Sequence, residues 1–394
     1  MHTGLPAVAF MAIGLGNVLQ PDAAGGWLDR TFSGDGFTNV RLSAGVVAGT
    51  PQYSLVVTPA GRSWILSHRF VSGAYRTELI VYTDRGVVDP RWNGGRPVTN
   101  IANGGPIGLA PTPDGGAMVA TWYQSPSGDL GYRVQTLDPT GRSIRSRVHV
   151  PLPGAGSLGI GGFVRLADGA VRTCVSLSQS QGYLAGLDAS GQPDASIGPN
   201  GIREIGGECI LSPWGTSQVL ARGGGTLRRL YRDGRPVAGW GSNGVVEAST
   251  DPFVEPVVGP DGRLIDGATA VDTSLRRVVR LTTLLSDGRP DPSFGQGGTL
   301  TLHLGDVARA SRLVALDVDR AGRIVVFSSS RLQNGSTRRE IDRLTPTGAF
   351  DYAFGIGGRI QMSSMGISLG VDASGRIVTL TRNGDSLILS RRTP

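Results

Sequence analysis

The chain has 394 residues, of which 61 are Gly and 24 are Pro, against 18% charged and 6% aromatic residues. That many turn formers between short apolar runs disfavour a helical protein and favour an all-β one, and a repeat array can occupy this whole length as one domain. The net charge is +7 and all 38 basic residues are Arg, scattered in runs of no more than two; diffuse charge of this kind speaks to solubility and makes nucleic acid an unlikely partner.

The N-terminus is apolar from Leu5 to about Leu19 and is followed by Gln20-Pro21-Asp22-Ala23-Ala24. The stretch is short for a membrane span but suits a secretory signal with cleavage near Ala23 or Ala24. No basic residue precedes it, so the signal is incomplete as written. Residues 1–24 are therefore assigned as a signal peptide or apolar N-terminal segment, and residues 25–394 as one domain that is secreted or held in the cell envelope. No later segment is apolar enough to cross a membrane.

From residue 28 onward two phrases alternate through the chain. One is an apolar strand, a tight Gly turn and a second strand, at residues 55–62, 109–116, 164–170, 257–264, 316–324 and 369–377, with a degraded copy at 211–219. The other is clearest as Leu285-Ser286-Asp287-Gly288-Arg289-Pro290-Asp291-Pro292-Ser293-Phe294-Gly295-Gln296-Gly297-Gly298. It recurs at residues 83–95, 187–201, 230–244 and 344–358, while residues 137–142 keep only its first half. Each unit thus supplies four short antiparallel strands in about fifty residues, the pattern of propeller blades that cover one another's faces. The chain stops after the third strand of its last unit, and the missing fourth lies at the start, where residues 28–36 align with 350–358. The expected architecture is an all-β, seven-bladed propeller of four-stranded antiparallel blades, closed by an N-terminal strand that completes the C-terminal blade.

The second phrase resembles the bacterial delta-60 repeat, whose pattern of a Leu, an Asp-Gly turn, an Asp, then Phe-Gly and a closing Gly is carried here by Leu285, Asp287-Gly288, Asp291, Phe294-Gly295 and Gly298. The resemblance covers nearly all of the chain after residue 25, with departures in the second blade, which lacks the aromatic phrase, and in the fourth, whose central turn is altered. It implies a secreted or surface propeller and implies no particular activity.

Within the repeat, Asp29, Asp89, Asp194, Asp291 and Asp351 recur once per unit, too far apart to gather around calcium and well placed to accept backbone hydrogen bonds at a strand corner. Phe32, Trp92, Trp240, Phe294 and Phe354 share one position, with Ile197 in the third unit, which suits a wedge between blades better than a sugar-stacking site. Cys174 and Cys209 fall in adjacent units and form either a disulfide or two buried thiols. His2, His68, His149 and His303 lack ligand spacing, so no metal site and no cofactor are expected.

Acids that break the repeat concentrate in the fourth and fifth units and their connections: Glu204, Glu208, Glu247, Asp251, Glu255, Asp266 and Asp272. Two expectations for function follow. The first is a binding scaffold, monomeric, that presents a propeller face to a protein or a glycan. The second is a carbohydrate-active hydrolase or lyase at the central channel, with Glu204, Glu208, Glu255 and Asp266 as candidate acids and bases; it requires several of them to face one pocket.

Overall fold

The structure is a computed structural model that describes residues 26–394 except 44–46, 72–73, 100, 102–103, 151–158, 178–180, 208, 249–253, 275–276, 304–307 and 333. The apolar segment 1–24 lies outside the described residues, as do Glu208 and Asp251.

Strand β1 (Phe37–Asn39) opens the chain and pairs out of sequence order. Blade one contains β2 (Val47–Val57), β3 (Ser63–Val71) and β4 (Ala74–Tyr82); blade two contains β5 (Pro106–Pro111), β6 (Ala117–Gln124), β7 (Leu130–Leu137) and β8 (Ser143–His149). Blade three is β9 (Gly159–Arg165), β10 (Val171–Ser176), β11 (Gly182–Leu187) and β12 (Ile202–Glu204); blade four is β13 (Ile210–Trp214), β14 (Gln218–Gly223), β15 (Thr226–Tyr231) and β16 (Val245–Glu247). Blade five holds β17 (Val257–Val258), β18 (Leu264–Val271), β19 (Arg277–Leu284) and β20 (Thr299–Leu302), and blade six holds β21 (Ala308–Val318), β22 (Ile324–Leu332), β23 (Thr337–Leu344) and β24 (Arg359–Gln361). Blade seven joins β25 (Met365–Val371), β26 (Ile377–Asn383) and β27 (Ser386–Arg392) to β1.

Every sheet is an antiparallel meander, so the molecule is a seven-bladed propeller, and the ring closes where Phe37 stands opposite Ser390 and Asn39 opposite Ile388. The one shortfall from four strands is blade one. There the fourth position is a single bridge, in which the amides of Leu79 and Val98 exchange hydrogen bonds of 3.1 and 2.8 Å. Pro97, beside it, has no N–H with which to extend the ladder.

A blade is covered on both faces by its neighbours, so its second strand is buried almost throughout instead of alternating. All six residues of β10 are buried, as are the first five of β3 and of β22. The core is therefore a ring of clusters between sheets. One joins Ile265, Val279 and Phe294 of blade five to Leu313, Val326 and Leu344 of blade six, and another joins Ile65 and Tyr82 of blade one to Val378 and Leu389 of blade seven. In this meander the turns after the first and third strands leave from one face, called the turn face below, and the remaining connections leave from the opposite, loop face.

Candidate functional site

The recurring Asp residues lie on the turn face, and each closes a local turn. One carboxylate oxygen accepts the backbone N–H two residues on: from Thr31 to Asp29 at 3.0 Å, Arg91 to Asp89 at 3.0 Å, Ser196 to Asp194 at 2.9 Å, Ser293 to Asp291 at 2.9 Å and Ala353 to Asp351 at 3.1 Å. The other oxygen meets a guanidinium: Arg391 at 2.9 Å, Arg62 at 2.8 Å, Arg172 at 2.5 Å, Arg263 at 2.9 Å and Arg343 at 2.8 Å, respectively. Burial alone would raise the carboxyls of Asp29, Asp89, Asp194 and Asp291, but these hydrogen bonds and the Arg charges outweigh it and hold them below the ordinary range. A good part of the Arg excess is thus consumed inside the fold.

Phe32, Trp92, Trp240, Phe294, Phe354 and Ile197 are all buried. Five of these side chains press on a glycine of the next unit. A Cβ would stand 2.7 Å from the Phe32 ring at Gly86, 3.3 Å from Trp92 at Gly141, 3.1 Å from Trp240 at Gly288, 3.0 Å from Phe294 at Gly348 and 2.7 Å from Phe354 at Gly26. After blade two, which lacks the aromatic, the aliphatic stem of Arg147 takes its place, 2.7 Å from a Cβ at Gly191. Cys174 and Cys209 form a disulfide, Cα atoms 5.8 Å apart, that ties β10 of blade three to the residue just before β13 of blade four.

The acids that break the repeat do not converge. Glu204 and Glu247 are exposed on the outermost strands β12 and β16, and Asp272 follows β18 on the loop face. Asp266 is buried on β18, 3.2 Å from the Arg222 guanidinium of blade four. Of the described acids in this group, Glu255 is the one that borders the central channel.

That channel is a cavity of about 840 Å³ bordered by segments of all seven blades, from Tyr53–Val56 of blade one to Ile367–Leu369 of blade seven. Three innermost strands change register at one equivalent point, between Pro106 and Gly108, Leu313 and Ala315, and Gly366 and Ser368. The extra residues Ile107, Val314 and Ile367 border the channel as an apolar collar.

Against this collar stand two carboxylates, Glu255 before β17 and Asp317 near the end of β21. Glu255 is open to channel water but ringed by protein, and that crowding raises its carboxyl above the ordinary range. Asp317 is pushed up to about 6 by burial, although its oxygens accept the amides of Val318 at 2.8 Å and Val371 at 2.7 Å. Among the described residues no Arg or His borders the cavity. Among the described residues no three His, Cys, Asp or Glu side chains gather to hold a metal ion.

No family model matches the chain, and no curated protein matches it. Solved structures do resemble it in fold. A protein of unknown function from Bacteroides caccae aligns with a TM-score of 0.40 at 10% identity over 72% of this chain and 90% of its own. One from Dyadobacter fermentans aligns at 0.45 and 11% identity over 91% of this chain and 98% of its own. A structure from a study of two prolyl endopeptidases aligns at 0.47 and 15% identity, over 85% of this chain but only 47% of its own. The chain thus spans about half the length of that endopeptidase.

Sequence reasoning passed over Asp317. The signal was present. The turn closures from Thr58 to Arg62, Gly259 to Arg263, Asp319 to Arg323 and Asp372 to Arg376 align Asp317 with Val56, Val257 and Gly370. An acid at a register that is otherwise apolar or Gly breaks the repeat as plainly as Glu255 does.

Proposed function

We propose that the chain is an extracytoplasmic binding propeller whose ligand enters the central channel. The propeller fold supports a binding or scaffold role, and one observation carries the location: a cavity of about 840 Å³ to which every blade contributes, where the carboxylates of Glu255 and Asp317 stand beside the apolar side chains of Ile107, Val314 and Ile367. Export is supported by the Cys174–Cys209 disulfide, since such bonds persist in oxidising compartments, and by the resemblance to the delta-60 repeat. The partner class is a glycan or a segment of another protein.

The test is a thermal-shift screen of the full chain against polysaccharides, peptidoglycan fragments, peptides and amines, run beside a Ser368→Trp variant. Ser368 borders the channel on β25, and an indole there intrudes on the space and narrows it. A ligand of the folded state raises the melting temperature by mass action, so the expected result is a shift in the native chain that the variant loses. A shift of equal size in both would place the ligand elsewhere and end this reading.

One observation favours a second reading, a hydrolase or lyase. Asp317 is a carboxyl that is partly protonated near pH 6, and it shares a cavity with another carboxylate, the kind of pair from which a general acid and base are drawn. Turnover of any screened glycan, abolished by Asp317→Asn, would favour it over simple binding.

A further inference from the structure

We propose that the channel selects an organic cation: an ammonium or guanidinium group carried on an apolar stem, from a small amine or from the basic side chain of a peptide. The inference rests on the channel reading above and adds the chemistry of the ligand.

Its first support is a charge inversion. The chain carries 38 Arg against 31 acids, yet among the described residues the cavity is bordered by Glu255 and Asp317 and by no basic side chain. Elsewhere the fold neutralises its inward acids with guanidinium groups, as at Asp194 with Arg172 and Asp266 with Arg222. Glu255 makes no hydrogen bond or ion pair with any described residue, and the oxygens of Asp317 accept only backbone amides, so neither has a counter-charge among the described residues.

The second support is position. Val257 and Asp317 occupy the same register on neighbouring innermost strands, since Val257 stands opposite Ile265 and Asp317 opposite Val325. Glu255 is two residues before Val257, so the carboxylates are offset along the channel axis by about 7 Å and stand on different blades, which lets each meet a separate cationic group. The collar of Ile107, Val314 and Ile367 supplies apolar contact for the stem of such a ligand. Protein walls around the carboxylates lower the effective dielectric of the channel, so a matching cation is held more strongly there than at the open surface. A metal ion fits less well, because two carboxylates without a third side-chain ligand leave most of its coordination to water.

The experiment is calorimetric titration of the full chain, at low salt and near neutral pH, with 1,5-diaminopentane, agmatine and a short Arg-containing peptide, and with 1,5-pentanediol as the uncharged match. The expected result is one-to-one binding of at least one cation, about tenfold or more tighter than the diol, weakened about tenfold by Glu255→Gln and lost in Ser368→Trp. The amine and peptide arms tell which source of the cation the channel prefers. Asp317→Asn should weaken binding too, but Asp317 also receives the Val371 amide, so Glu255→Gln, checked for an unchanged melting curve, decides the matter. No cation binding, equal affinity for the diol, or equal affinity in Glu255→Gln would overturn the inference. A neutral ligand that binds the native chain and is lost in Ser368→Trp would overturn it while sparing the channel; a screen in which Ser368→Trp changes nothing would remove both.

Discussion

Asp342, on the third strand of blade six, has a fully buried side chain with neither oxygen hydrogen-bonded; its nearest charge partner is the Arg359 Nε at 3.5 Å. Burial raises its carboxyl to about 7, with Arg359 opposing and Glu340 adding to the rise. Between 3.8, its ordinary value, and about 7 the folded chain holds a proton that the unfolded chain has released, so stability falls as pH rises through that window. Asp342→Asn keeps the shape and removes the titration. We expect the variant to melt higher than the native chain above about pH 7 and to show a flatter dependence below it, read by circular dichroism melts over a pH series. A curve parallel to that of the native chain at every pH would refute this account. Asp342 was invisible in the sequence, because burial is set by residues from other strands and other blades, whereas Asp317 was legible as an acid that breaks the repeat but not as a residue of the channel. The recurring Asp residues were legible because an Asp that binds the amide two positions on is a local device repeated at a fixed spacing.

At the scale of the strand and turn, the glycine that closes the turn after a blade's third strand joins two requirements in one residue. Gly348 has φ +89° and lies under the Phe294 ring, whereas Gly297 has φ +60° with open space where a Cβ would go. An Ala at either position is strained, at about 1–2 kcal/mol for the left-handed backbone. Only Gly348→Ala also displaces a buried ring, so it should lower the urea midpoint clearly more than Gly297→Ala does. Equal losses would mean that the ring yields freely and that the contact between blades is loose. Strand pairing was readable from the alternation of two phrases. The exceptions were not: Pro97 stands where the edge of blade one is reduced to a bridge, and in blade two Arg147 fills a position that the lost aromatic phrase had left blank.

For the molecule as a whole, closure was legible because the same phrase stands at both ends of the chain, and the β1–β27 pairing follows it. What the channel holds could not be read, since its lining gathers residues from positions 53 to 369 that only the ring brings together. The disulfide reinforces the ring at one seam, with a sequence separation of 35 and both sulfurs buried. A chain-entropy estimate for a loop of that length is roughly 4 kcal/mol. Cys209→Ser should therefore melt lower than the native chain, and a reductant should bring the native chain down toward the variant without affecting the variant itself. If reductant left the native melting temperature unchanged, the bond would contribute nothing to stability.

The seam between β1 and β27 has a mechanical consequence. The amide of Gly26 donates to the Thr393 carbonyl at 2.8 Å, that of Thr393 to Trp27 at 2.8 Å, and that of Asp29 to Arg391 at 2.9 Å, so the two ends of the described chain leave side by side from one edge. A pull applied at residues 26 and 393 loads these bonds singly and in sequence, as a zipper is opened, rather than all at once in shear. The ring should yield to tension at blade seven under small force while the other six blades keep their sheets, making its closing strand a point of mechanical release.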